Sequence, residues 1–305
     1  MSRILIIKLG ALGDFFMAQP ALRTLRAHHR HDELVLLTIP ALESLAVMSG
    51  LFDEVWCDPR GRWPSGHWRM ARRLAGGGFA RIYDLQGTRR TAWYFRLMWP
   101  RRAPWAGPVA GCTWPRPPRP AGAHRADWYA AQLAALGITV GAVTDPDWLA
   151  GDLAGFALPP RYALIAAGGS AHRPGKRWPP AGYGSLAREL CARDIVPVLI
   201  GTGIDAAAND TIAAQVPAAI DLTARTTIPQ LASLARRAVG AVGNDTGPMH
   251  VIAATGCPAV VLYSAESDPG FVAPLGARVT CVQRPRLESL AAPDVFDAVR
   301  ARWEI

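Results

Sequence analysis

Twice along this chain a short, unbroken apolar run feeds a glycine-bearing turn and then a helical pattern. The first is residues 3–8 (RILIIK), followed by the turn 10–13 and a helical stretch over 14–29. The second is residues 162–167 (YALIAA), followed by a glycine-rich loop. A strand with no polar alternation is covered on both faces, so such runs belong in the middle of a parallel sheet flanked by helices. Runs at 34–38, 54–57 and 82–85 continue the first series, and runs at 195–200, 239–242 and 259–263 continue the second. Helical patterns at 181–192, 206–215, 229–237 and 246–255 lie between or after them. Residues 100–122, dense in Pro and Gly, read as a long loop, 125–136 as a helix, 137–160 as a linker and 291–303 as a last helix. The pattern predicts two doubly wound α/β halves, 1–155 and 156–290, with ligands at the carboxyl ends of the strands. A length of 305 residues suits two cores better than one.

Composition narrows the function classes. Charged residues make up 19% and apolar residues 50%, which excludes a disordered chain. The five cysteines are scattered without a CxxC pair, a pattern of a reduced, cytoplasmic protein rather than of a disulfide framework or a zinc site. No run predicts a signal peptide or a transmembrane helix, which leaves peripheral membrane contact open. The net charge of +9 is uneven: residues 1–155 hold 19 basic and 12 acidic residues, and nine of the eleven tryptophans. Such a half attracts an acidic partner. No nucleic-acid-binding module is recognisable, so a nucleic acid is not the expected one. Lys8 and Lys176 are the only lysines.

Three segments carry possible chemistry. GNDTGPMH at 243–250 follows a strand and opens a helix, so backbone N–H groups and the positive helix end would face an anion. Thr246 adds a hydroxyl and His250 a ring one turn on, although Asp245 could equally serve as a helix cap and His250 as a buried core residue. GGSAHRPGKRWP at 168–179 follows a strand too and can hold a diphosphate, with Lys176 as a point charge. It is not a Walker loop. KLGALGD at 8–14 lacks the third glycine of a dinucleotide fingerprint. It does put one carboxylate, Asp14, at the start of a helix, where it could act as a general base or merely belong to the helix terminus. Asp145-Pro146-Asp147 mimics the DxD of metal-dependent glycosyltransferases, but no strand leads into it. The His28, His29, His31 cluster reads as a solvated helix end.

These three segments, together with TIPQLASLARRAVGAV at 227–242, resemble glycosyltransferase family 9, the ADP-heptose:lipopolysaccharide heptosyltransferases. The likeness covers the first strand and helix and nearly all of 162–274; residues 61–155 match only in outline. The resemblance implies a GT-B fold, two Rossmann-like doubly wound domains facing a central cleft, with the acceptor on the first and a nucleotide sugar on the second. It implies a last helix, 291–305, that crosses back to the first domain. It implies Asp14 as catalytic base and Lys176 on the donor phosphates. Donor-binding positions would be Ser170, Asp205, Thr226, Asp245, Thr246, Gly247 and His250, with Lys8, Gly10 and Gly13 on the acceptor side. Two departures stand out: Asp205 where relatives place a glutamate for the ribose, and Ser170 followed by Ala171 and His172 where relatives carry adjacent hydroxyls.

The implied reaction is inverting transfer of a sugar, heptose from ADP-heptose, onto an acidic glycolipid of the lipopolysaccharide core, at the inner membrane face and without a metal or other cofactor. A carboxylate would take the acceptor proton, and Lys176 with a helix end would stabilise the departing diphosphate. The alternatives are a GT-B nucleotide-sugar epimerase and a non-catalytic nucleotide- or glycan-binding relative.

Overall fold

A computed structural model describes residues 1–60, 63–169, 172–303 and 305. The chain divides into two compact units, Met1–Ala142 and Val143–Ile305. In the first, β1 (Arg3–Ile7), β2 (Glu33–Thr38), β3 (Glu54–Cys57), β4 (Arg81–Asp84), β5 (Trp105–Gly107) and β6 (Trp114–Pro115) form one sheet in the order β3-β2-β1-β4-β5-β6. In the second, β7 (Tyr162–Ala166), β8 (Val196–Leu199), β9 (Ile220–Asp221), β10 (Gly240–Asn244), β11 (Ala259–Tyr263) and β12 (Val279–Gln283) run in the order β12-β11-β10-β7-β8-β9. Every pairing is parallel. Counted within its own unit, each sheet has the strand order 3-2-1-4-5-6. The order reverses between the first and fourth strands, and the loops leaving those two strands diverge there to open a crevice. In the second unit these are β7 and β10; in the first they are β1 and β4.

The apolar runs fold as their patterning requires. β7 and β10 are buried at every residue, and helices Pro180–Cys191 and Ala292–Trp303 pack on that sheet's core through Tyr183, Leu186, Val295 and Trp303. In the first unit, Met70, Leu74, Tyr94 and Phe95, from helices Ser65–Ala75 and Arg89–Leu97, cover β1 and β2.

Two expectations are corrected. Residues 100–122 are not a plain loop: β5 and the short edge strand β6 lie in them, with Pro115 at the edge where a missing N–H is tolerated. β9 and β12 carried no sequence expectation. The unit boundary lies at 142/143 rather than 155/156, because the 143–155 strap is tied to the second unit: Arg236 donates to Asp145 at 2.6 Å and to the Leu149 carbonyl at 2.7 Å, and Gly151 donates to Ser233 at 2.9 Å. Within its unit the last helix, Ala292–Trp303, packs against helix Pro180–Cys191, β11 and β12.

Candidate active site

In the second unit the loops leaving β7 and β10 enclose a cavity of about 310 Å³. Gly168 and Gly169 form one wall, Gly201, Thr202 and Asp205 a second, and Asp245 through Pro248 a third. Gly168 cannot be replaced cheaply, since a Cβ there would stand 2.3 Å from the Asp205 carboxyl carbon. Asp205 holds this corner together. Its Oδ2 accepts from the Thr202 N–H and hydroxyl, both at 2.9 Å, and its Oδ1 from the Gly169 N–H at 3.3 Å.

The other wall is anchored by a residue that the sequence reading passed over. Asn244, fully buried at the end of β10, donates to the carbonyls of Ala167 and Gly168 at 2.8 and 2.9 Å. Its Oδ1 accepts from the Trp178 N–H at 3.0 Å and the Tyr183 hydroxyl at 2.9 Å. One side chain thereby joins the β7 loop, the basic loop and the helix behind them. The available signal was a carboxamide closing an otherwise apolar, fully buried strand, GAVGN.

Lys176 and Asp245, distant in sequence, meet: the ammonium donates to Oδ2 of Asp245 at 2.7 Å, with both side chains about nine-tenths buried. The Ser267 hydroxyl donates to the same oxygen at 2.7 Å, a partner with no sequence signature. Lys176 does not itself line the cavity; it reaches the cavity wall through Asp245. Burial and the nearby Asp245 charge push the Tyr263 phenol well up, so it stays neutral behind this pair.

Helix Gly247–Ala254 begins on the cavity, and its cap is Thr246, not Asp245. The Thr246 side chain makes no capping bond, and its Oγ1 is buried with no hydrogen-bond partner. A buried unmade hydrogen bond costs about 1–3 kcal/mol, so this hydroxyl is poised for a ligand atom. It lies beside the first N–H groups of a helix, an arrangement that suits an oxyanion. His250 is buried in the same helix but outside the cavity lining, and Thr226 lies in the turn region ahead of helix Ile228–Arg237, also outside it. Ser170 falls outside the described residues.

In the first unit, side chains near the ends of β1 and β4 are bonded internally. Lys8 is 1% exposed; its ammonium donates to the Tyr129 hydroxyl at 3.0 Å and to Gln86 at 3.5 Å. Gln86 also accepts from the Leu9 N–H at 2.9 Å. The acceptor-side role expected of Lys8 therefore meets a buried, internally committed group. Asp14 sits in the first turn of helix Leu12–His28, capped by Ala11, and is ion-paired with Arg125. Gly10 leaves room for that carboxylate: a Cβ would stand 2.5 Å from Oδ2. Gly13 is buried inside the same helix.

One member each of the histidine cluster and the Asp-Pro-Asp triplet is held internally, and His29 is buried rather than solvated. His29 is held by Asp32 at 2.9 Å and Tyr83 at 3.0 Å, and Asp145 pairs with Arg236. Among the described residues no group of three or more His, Cys, Asp or Glu side chains converges on a point, and no helix is long and apolar enough to cross a membrane.

Comparison with known proteins places this geometry. The model of glycosyltransferase family 9 (heptosyltransferase) matches residues 146–297, about half the chain and nearly the whole second unit. Lipopolysaccharide heptosyltransferase 2 of Escherichia coli is 34% identical over 120 residues, 38% of this chain and 34% of that protein. Lipooligosaccharide heptosyltransferase 2 of Haemophilus influenzae is 28% identical over the same shares. The match thus spans about a third of the length of these curated relatives. Among solved structures, a family 9 glycosyl transferase from Veillonella parvula superposes with a TM-score of 0.84 at 22% identity, covering 99% of this chain and 97% of the other. The ADP-heptose lps heptosyltransferase II of E. coli gives 0.76 at 21%, covering 99% and 98%. The fold is the GT-B type of those structures, and on the match of its second half the chain belongs to glycosyltransferase family 9.

Proposed function

We propose that this protein transfers a sugar from a nucleotide diphosphate donor, ADP-heptose, to an acidic glycan acceptor of the lipopolysaccharide core, on the cytoplasmic side. The observation that carries the reading is the cavity at the second unit's switch point, where an orphaned Thr246 hydroxyl, a helix N-terminus and the Lys176–Asp245 pair converge. The diphosphate lies at Thr246 and the helix end, and the ribose near Thr202 and Asp205. Exposed Ile204 on the rim offers an apolar surface to the base.

The acceptor hydroxyl attacks the anomeric carbon as the bond from that carbon to the diphosphate oxygen breaks, with inversion. Its proton passes to Asp14, and the nucleoside diphosphate departs with the electron pair. Lys176 and the Gly247–Ala254 helix end balance the charge that develops on the leaving group. No metal is required by this scheme. The test is to incubate the protein with ADP-heptose and a core acceptor and identify products by mass spectrometry. A glycosylated acceptor is expected. Epimerised donor with no transfer would replace the proposal by the epimerase reading, and neither product would leave a binding protein.

A further inference from the structure

Between Arg60 and Arg102 the chain holds eleven arginines and a single acidic residue, Asp84. This stretch sums to +10 against +9 for the whole chain, so everything outside it nets −1. Asp84 is fully buried, and of these arginines Arg90 pairs with Asp58. Arg69, Arg72, Arg73, Arg89, Arg96 and Arg101 are exposed, and none forms an ion pair among the described residues. The same stretch contains Trp63, Trp68 and Trp99, exposed at 52, 51 and 71%.

Helical periodicity explains how these side chains come to face outward. Helix Ser65–Ala75 buries His67, Met70, Ala71 and Leu74, an i, i+3, i+4, i+7 stripe that turns Trp68, Arg69, Arg72 and Arg73 away from the core. It packs against helix Arg89–Leu97, and the Trp63 ring lies 4.5 Å from Trp93 to join them. The guanidinium of Arg96 stands 5.3 Å over Trp93, that of Arg72 5.1 Å over Trp68, and that of Arg102 4.9 Å over Trp99. Arginines stacked on half-exposed tryptophans give a surface that is apolar in its rings and cationic at its edges. That combination suits the headgroup layer of a bilayer, where Trp partitions and Arg meets lipid phosphate. A second copy of the chain is disfavoured there, because like charges would face each other.

We infer that this face docks the first unit on an anionic lipid bilayer, with Trp63, Trp68 and Trp99 in the headgroup layer. The inference does not depend on the transferase reading. It is tested by co-sedimentation with vesicles of phosphatidylcholine alone or mixed with phosphatidylglycerol, and by quenching of tryptophan fluorescence with brominated phosphatidylglycerol. Binding to the mixed vesicles only, weakened by salt, is expected. Substituting Arg72, Arg96 and Arg101 by Gln should lower partitioning about fivefold per arginine, and Trp68→Ser with Trp99→Ser should remove most of the quenching. These side chains are exposed, so thermal midpoints should not move; Trp99→Ser with Arg101→Gln alone, both outside the helices, is the fallback pair. Equal binding to neutral vesicles, indifference to the substitutions, or stripping from vesicles by a double-stranded oligonucleotide at matched phosphate would overturn the inference.

Discussion

The two units share one strand order yet treat the point where that order reverses in opposite ways. Between β7 and β10 the chain leaves a cavity of about 310 Å³ walled by glycines, small polar groups and the apolar Ile200, Ile204 and Pro248. Near the ends of β1 and β4 it places Lys8, whose ammonium donates to both Gln86 and Tyr129. The two lysines show the difference: Lys8 is spent on its own core, whereas Lys176 balances a carboxylate on a cavity wall. Charge divides the same way. The first unit holds 19 basic and 9 acidic residues, the second 14 and 15. One strand order thus carries a walled cavity in one unit and a buried lysine's hydrogen bonds in the other.

The largest effect belongs to Asp14. If it takes the acceptor proton, Asp14→Asn should cut turnover by about 10²–10⁴-fold. Donor affinity should hold, since the proposed donor site lies in the second unit. Steady-state rates with separate nucleotide titrations check this, and near-normal turnover in the folded variant would move the base elsewhere.

Lys176→Ala comes next. Beyond losing a charge near the proposed phosphate position, it leaves Asp245 almost buried without its counter-ion. Nucleotide affinity should drop about 10–100-fold by calorimetry, the equivalent of a charge-assisted bond. Adding Asp245→Asn should restore part of it. Lys8→Met is the matched control: nucleotide affinity should not change, and any effect should appear only in thermal stability.

Asp58 anchors the other unit's loop. It is 1% exposed and accepts from Arg90 at 2.7 and 2.9 Å and from the Tyr94 hydroxyl at 2.5 Å. Burial alone would raise its pKa, but Arg90, Tyr94 and the Arg60 N–H outweigh it and hold the carboxyl below the usual range. With a depressed native pKa, its stabilisation is complete above the ordinary aspartate range and is lost as pH falls through the native value. Asp58→Asn should therefore cost about 3 kcal/mol near neutrality, and the gap to the parent protein should narrow in acid. Denaturant midpoints across pH measure it; a gap that widens in acid would reverse the assignment.

Much of this organisation was legible from residue order. Strand-to-turn junctions at 8–14, 168–179 and 243–250 stand out because an apolar run ending in small residues can do little else but turn at the carboxyl end of a buried strand. What stayed hidden was held by the long-range bonds of single polar side chains, which leave no periodicity. Asn244 and Ser267 are single polar residues whose partners lie across the fold. β5 and β6 sit in Pro- and Gly-rich sequence because pairing with β4 and with each other, rather than strand propensity, extends them. The 143–155 strap read as a linker because the contacts that tie it down come from Gln230, Ser233 and Arg236, distant in sequence.

Thr246 tests the central claim most directly. Its hydroxyl is buried without a partner, so Thr246→Val removes an orphan from the free protein and a ligand from the complex. The substitution should leave the thermal midpoint unchanged or raise it, while calorimetric titration with ADP shows about a tenfold loss of affinity, near 1.4 kcal/mol. ADP binding equally well to Thr246→Val, or a fall in stability with affinity intact, would mean that the hydroxyl serves the fold and that the nucleotide lies elsewhere.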